Sequence, residues 1–368
     1  MKKISILGAG MIGSAITADL AKDHKVTVID NDDNRLKKLS SKPGVTILRK
    51  DLSDKSQLRE VINDADLVVG AVPSFMGYET LKSVIESGKN IVDISFFNED
   101  PFELTNLAKK NNVTAVVDCG VAPGLSNIIL GYYNKRMKIE SFECYVGGLP
   151  FERKWPYEYK APFSPADVIE EYTRQARIME NGDIVIKEAL SEPELIETEA
   201  GQLEAFNTDG LRSLLKTMEI PNMKEKTLRY PGHIELMKVL RETGFFSKEK
   251  IEVNGKMISP VELSSKLLFP LWKLGGNEKE FTVLKLKITG EGGKVIEYSL
   301  FDRYDEKTQT TSMARTTGYT CTSVVNLVLN GDYNEKGISP PEYVGRDQFC
   351  FNYVLDYLAG RSVNISNK

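Results

Sequence analysis

Residues 8–13 read Gly-Ala-Gly-Met-Ile-Gly, directly after the apolar run Lys3-Ile4-Ser5-Ile6-Leu7 and ahead of Ile12, Ile16 and Leu20 at helical spacing. A strand, a glycine turn and a helix in that order cradle a pyrophosphate. Gly8 permits the tight turn, Gly10 lets a phosphate approach the backbone, and Gly13 lets the helix pack closely on the strand. Unpaired N–H groups in the first helical turn and the helix macrodipole then favour an anion. The next apolar run ends at Asp30, about 20 residues on, where a carboxylate accepts the ribose hydroxyls of a dinucleotide. Asn31-Asp32-Asp33 follow and Arg35 comes later, so a 2′-phosphate is repelled and NAD is expected over NADP. The expected cofactor contacts are Gly8, Gly10, Met11, Ile12, Gly13 and Asp30. Asp51 is expected either to approach the adenine or to cap the helix starting near Lys55. Val72 and Pro73, at the C-terminal end of the fourth apolar run, either line the nicotinamide side or begin a rigid loop.

The elements that position these residues alternate. Apolar runs at 3–7, 25–29, 45–48, 66–72, 90–94 and 114–117 are continuous rather than alternating, as strands buried on both faces are. With helical stretches between them they predict an α/β, doubly wound parallel sheet of Rossmann type. After Gly124 the rhythm changes. Helices are expected at 167–180 and 232–243, and Leu284, Leu286 and Ile288 alternate with Lys285 and Lys287 in a strand at 282–288. Gly290-Glu291-Gly292-Gly293 supplies a hairpin turn to a partner strand at 295–301, so the second domain is expected to be α+β and antiparallel. Helices at 318–329 and 348–359, separated by Pro340-Pro341, are expected to pack back onto the first domain, and 364–368 is expected to fray. The predicted division is 1–124 plus 318–368 for the NAD-binding domain and 125–317 for the other.

Acids and bases are mixed, 48 Lys+Arg against 52 Asp+Glu for a net charge of −4. That balance offers no footprint for nucleic acid or an anionic membrane and points to a small-molecule partner. No apolar run approaches the roughly 20 residues that span a bilayer, and a cytoplasmic protein is expected. Cys119, Cys144, Cys321 and Cys350 lack metal-ligand spacing, so no metal site is expected and the thiols are read as packed and free.

Asp118-Cys119-Gly120-Val121-Ala122-Pro123-Gly124-Leu125-Ser126-Asn127 resembles the loop joining the two domains of saccharopine dehydrogenase-like proteins, closest to their L-lysine 6-dehydrogenase branch. The resemblance continues through Gly147-Gly148-Leu149-Pro150, Phe163-Ser164-Pro165, the block 203–210, Lys226-Thr227-Leu228-Arg229-Tyr230-Pro231-Gly232-His233, and Ala314-Arg315-Thr316-Thr317-Gly318. It implies an inserted α+β domain that binds an amino acid substrate and forms a homodimer. It also implies chemistry at a carbon–nitrogen bond: NAD-dependent oxidation of the side-chain amine of L-lysine, giving a semialdehyde that cyclises, ammonia and NADH. The alternatives are NAD(P)H-dependent reduction of an imine, as in saccharopine or carboxynorspermidine formation, and a non-catalytic NAD-binding sensor.

Amine oxidation needs one base. His233, at a helix start where the imidazolium is disfavoured, is the first choice, with a structural histidine as the alternative. Arg229 is expected either to hold an α-carboxylate through its fork, as in related enzymes, or to form a surface ion pair. Asp118, at the end of the sixth strand, either orients the amine or caps the glycine-proline loop. His24 is expected at the solvated surface. Glu204, Asp209 and Arg315 either contact the substrate or form salt bridges. Tyr157, Tyr159 and Lys160 are expected in a covering loop or at a dimer interface.

Overall fold

The computed structural model describes residues 1–161, 165–275 and 278–367. The chain divides into two compact units, Met1–Met137 with Ala314–Val363, and Lys138–Met313 with Asn364–Lys368.

The first unit opens β1 (Lys3–Leu7), α1 (Met11–Leu20), β2 (Lys25–Asp30), α2 (Asp33–Lys37), β3 (Val45–Arg49), α3 (Lys55–Ile62), β4 (Leu67–Gly70), α4 (Ser74–Glu86) and β5 (Ile91–Asp93). It continues through α5 (Thr105–Lys110), β6 (Thr114–Val116) and α6 (Leu125–Asn134). Ile6, Val28, Leu67, Val68, Ile91 and Ala115 are fully buried, as the unbroken apolar runs require of strands covered on both faces.

In the second unit β7 (Ile139–Pro150) is followed by α7 (Pro165–Thr173), β8 (Ala176–Glu180), β9 (Asp183–Lys187), β10 (Glu194–Thr198), β11 (Gly201–Asn207), α8 (Leu214–Thr217) and β12 (Asn222–Arg229). Then come α9 (His233–Glu242), β13 (Ile251–Val253), β14 (Lys256–Ile258), α10 (Pro260–Trp272), β15 (Glu280–Gly290) and β16 (Val295–Arg303). The chain re-enters the first unit through α11 (Ser312–Asn330), β17 (Gly337–Ser339), α12 (Pro341–Arg346) and α13 (Gln348–Ala359), and ends in β18 (Ile365–Asn367).

The first sheet runs β17-β6-β5-β4-β1-β2-β3, with parallel pairing throughout. Its order reverses between β1 and β4, the switch point at whose C-terminal strand ends open α/β sheets bind their ligands. The returning segment is tied to α1 by a buried carboxylate. Asp19 accepts from Arg361 Nε at 2.8 Å, Tyr357 Oη at 2.8 Å, Thr322 Oγ1 at 2.9 Å and Lys22 Nζ at 2.9 Å. His24 is not solvated surface: its Nε2 lies 2.9 Å from Asn326 Oδ1 on α11.

The second sheet runs β10-β11-β12-β7-β15-β16-β18, with β8 and β9 off β12. Three expectations change here. β12 lies parallel to β7, so the sheet is mixed rather than antiparallel. The predicted helix at 167–180 ends at Thr173, because Asn181 and Gly182 both take positive φ and close β8 and β9 into a hairpin. The tail does not fray: Ile365–Asn367 pairs with Leu300, Ser299 and Tyr298 of β16.

Candidate active site

The glycine cluster forms the turn from β1 into α1. Gly8 has φ +112, and a Cβ there would stand 2.3 Å from the Ala71 carbonyl oxygen; one on Gly13 would stand 2.1 Å from that of Gly8. Both positions therefore serve the packing of turn, strand and helix. Gly10 differs, since a Cβ there meets nothing within 4 Å. Gly10 is also the N-cap of α1 and supplies no side-chain cap, which leaves the first-turn amides at Met11 and Ile12 available to an anion.

Asp30 is buried at the tip of β2. Its Oδ2 accepts the Ala9 amide at 2.7 Å and its Oδ1 the Asp32 amide at 2.9 Å, so the acid holds the glycine turn. The Arg35 guanidinium lies 3.7 Å from Asp30 and 3.4 Å from Asp32. Asp51 accepts from the Ser53 amide and hydroxyl; the cap of α3 is Asp54, which accepts from Ser56 and Gln57. Val72 is buried beyond β4, and Pro73 is the N-cap of α4.

Asp118 is buried just past β6 with φ +53. The next amide, Cys119 N–H, donates to the Asp93 carbonyl at 3.0 Å. Burial, with the Asp118 and Asp93 charges, pushes the Cys119 thiol far up, so it is no nucleophile. All four cysteines are buried free thiols. Arg315 turns its Nη2 to the carbonyls of Arg361 and Ser362.

A second constellation belongs to the other unit. Arg229, the last residue of β12, is 1% exposed. Its Nη2 donates to Glu171 Oε2 at 2.6 Å, its Nε to Tyr172 Oη at 3.2 Å and its Nη1 to the Leu228 carbonyl at 2.9 Å. The guanidinium carbon stands 4.2 Å from the Tyr159 ring centroid, a cation–π contact in desolvated surroundings. Tyr172 Oη lies 2.9 Å from His233 Nε2, and His233 Nδ1 lies 2.8 Å from the Tyr157 carbonyl. A carbonyl only accepts, so Nδ1 carries the proton and Nε2 accepts from Tyr172. Burial and the Arg229 charge push His233 down to about 3, while burial pushes Tyr172 up to about 12. His233 is thus neutral with both nitrogens engaged, an arrangement that orients Tyr172.

Tyr159 is a core residue packed with Tyr172 and Trp272, not part of an exposed cover. Lys160 pairs with Glu278, Glu204 accepts the Gly232 amide, and Asp209 binds Arg177 through both carboxylate oxygens. Phe163 and Ser164 lie outside the described residues. Sequence reasoning passed over Glu171 and Tyr172. Tyr172 sits four residues after Val168 on the apolar stripe of α7, but nothing local marks Glu171 out from Glu170.

Residues 4–116 match the family model for the saccharopine dehydrogenase NADP binding domain, and residues 120–363 match that for the saccharopine dehydrogenase C-terminal domain. The chain belongs to the saccharopine dehydrogenase family. Within the family it is 28% identical over 271 residues to saccharopine dehydrogenase (NADP(+), L-glutamate-forming) of Pyricularia oryzae, covering 68% of this chain and 59% of that protein. It is 28% identical over 243 residues to alpha-aminoadipic semialdehyde synthase of Arabidopsis thaliana, covering 61% of this chain and 23% of that protein. These matches therefore span less than two thirds of the relatives' own length. Apo saccharopine dehydrogenase (L-Glu forming) from Saccharomyces cerevisiae shares the fold, with a TM-score of 0.79 at 20% identity over 100% of this chain and 99% of that one. So does homospermidine synthase from Legionella pneumophila in complex with NAD, with a TM-score of 0.71 at 13% identity over 100% and 91%. No helix among the described residues is long and apolar enough to cross a membrane, and no cluster of three or more His, Cys, Asp or Glu stands ready for a metal.

Proposed function

We propose that this chain is a nicotinamide-dependent oxidoreductase of carbon–nitrogen bonds, reducing the imine formed between an amine and an aldehyde or oxidising the corresponding secondary amine. The observation that supports it most is one chain carrying both family domains with an intact glycine turn and, in the second domain, a fixed buried guanidinium suited to a carboxylate. Two of the named proteins are saccharopine dehydrogenases, and another structural neighbour is a homospermidine synthase. Both activities join or split an amine and a carbonyl partner.

The residues fit the coenzyme. Gly10 leaves room at the backbone, the first turn of α1 offers amides, and Asp30 faces the ribose position. When bound, the coenzyme supplies hydride transfer. This chain's own residues grip the pyrophosphate, hold the ribose and, through Arg229, orient an amino acid carboxylate. We assign Asp118, at the C-terminal edge of β6, to handling a proton of the reacting amine, and His233 to positioning rather than to the base. NAD(H) is the coenzyme we favour: Asp30 and Asp32 together outweigh the single Arg35 between them, and a 2′-phosphate meets net negative charge there.

A second reading is NAD-dependent oxidation of the side-chain amine of L-lysine. The observation that favours it is the same Asp30, whose carboxylate repels a 2′-phosphate and so suits an NAD-dependent oxidation.

The test follows absorbance at 340 nm with NAD and NADP, offering saccharopine, L-lysine, D-lysine, ornithine and polyamines at mildly alkaline pH. Turnover of a secondary amine such as saccharopine supports the first reading, and L-lysine turnover with ammonia release supports the second. Silence across the panel, with nucleotide binding demonstrated in the same sample, rejects both and leaves a binding protein.

A further inference from the structure

The Arg229–Glu171 pair is lopsided. The Arg229 side chain is 2% exposed, whereas that of Glu171 is 25% exposed. The guanidinium is held from its other sides without help from Glu171: Nε by the Tyr172 hydroxyl, Nη1 by the Leu228 carbonyl, and its face by the Tyr159 ring. Those two hydrogen bonds leave one N–H on Nη1 and two on Nη2, of which Glu171 takes one. Glu171 is therefore not what keeps Arg229 in place. It is a carboxylate set on a pre-oriented fork, in the chemical form a ligand carboxylate would present there.

A buried cation needs a counterion when no ligand is bound. Here that counterion is the more exposed partner, borne on α7 rather than on the strand that carries Arg229. Burial raises the Glu171 carboxyl above its ordinary range despite the guanidinium beside it.

We propose that Glu171 is an internal stand-in for a substrate carboxylate on Arg229, and that carboxylate ligands bind this site by exchanging with it. This rests on the reading of Arg229 as the carboxylate-binding residue of an amino acid oxidoreductase. It makes Glu171 a residue that sets affinity through Arg229 rather than one that takes part in the reaction. A ligand with a carboxylate is selected because it restores the neutralised fork that Glu171 vacates; an amide in the same place leaves the buried charge uncompensated.

The experiment uses the full chain, with and without NADH, and glutarate as an unreactive dicarboxylate probe, with its diamide as control, in titration calorimetry. Glu171→Gln removes the competing charge with little change of shape and is expected to bind glutarate about tenfold more tightly than wild type. Glu171→Asp, which keeps the charge but shortens the reach, gives a smaller gain and guards against a folding defect in the first variant. Structural damage would weaken binding, so the direction of change itself discriminates. Adding Arg229→Lys to Glu171→Gln is expected to abolish the gain, and the diamide is expected to show none. Unchanged or weaker glutarate binding in both Glu171 variants, a gain that survives Arg229→Lys, or no glutarate binding to any variant overturns the proposal. The 340 nm panel judges the enzymatic reading separately: turnover without glutarate exchange sinks only this proposal, and exchange without turnover sinks only that reading.

Discussion

His233 accepts the Tyr172 hydroxyl proton at 2.9 Å while its Nδ1–H is held by the Tyr157 carbonyl at 2.8 Å. Because the same hydroxyl receives the Nε–H of Arg229, the proton order runs in one direction, from Arg229 to Tyr172 to His233. Protonating His233 would place a second donor against the Tyr172 hydroxyl and a second cation beside Arg229.

Stability is therefore expected to fall with acid through His233. Its folded-state pKa is lowered from 6.5 to about 3, so between those values the unfolded chain binds a proton that the folded chain does not. The contribution is fully present above the unfolded value and is lost as pH falls, at about 1.4 kcal/mol per pH unit. Urea denaturation at about pH 6.5 and about pH 5 should show a loss of roughly 2 kcal/mol that is absent in His233→Gln. Equal pH slopes in the two proteins would place the imidazole in water.

Two glycines of one turn should respond in opposite ways. Gly10→Ala has room within the protein and is expected to melt within about 2 °C of wild type while losing at least about tenfold in NADH affinity, because its methyl meets the phosphates. Gly13→Ala drives a methyl into the Gly8 carbonyl at 2.1 Å and is expected to cost about 1–3 kcal/mol of stability. Equal nucleotide affinity in Gly10→Ala and wild type would remove the pyrophosphate from this turn.

Coenzyme choice should follow the charges at the tip of β2. Wild type is expected to bind NADH more tightly than NADPH. Asp30→Ala should lose about tenfold or more for NADH and narrow that gap, whereas Arg35→Ala should weaken NADPH alone. Tighter NADPH binding by wild type, measured by fluorescence titration, would show that Arg35 outweighs the two acids.

Asp19→Ala leaves Arg361 without its buried carboxylate and is expected to destabilise the first unit by about 3–5 kcal/mol. Chemical denaturation measures this directly. Burial opposes the Asp19 charge, but the hydrogen bonds from Arg361, Lys22 and Tyr357 lower its pKa overall. A cost under about 1 kcal/mol would mean that the network is solvated.

The nucleotide half was legible because its information is local. Buried parallel strands are continuous apolar runs, and the runs at 3–7, 25–29 and 45–48 match β1, β2 and β3 to within a residue at either end. What escaped was long-range. Nothing near β12 announces that it pairs parallel with β7, and Arg229 meets Glu171 and Tyr172 across 58 and 57 residues. The 167–180 stretch misled for a different reason: Arg174-Gln175-Ala176-Arg177 are good helix formers, and only the Asn181-Gly182 turn tells that the chain must reverse. His24 looked like surface because its partner, Asn326, stands 302 positions away.

The return of the chain to the first unit carries a consequence for synthesis. β6 gains its outer neighbour only from Gly337–Ser339, so as the polypeptide leaves the ribosome the nucleotide sheet waits, one edge bare, while all of 138–313 is made. An unpaired strand edge is a template for wrong partners, and the nascent first unit is exposed to them throughout that interval.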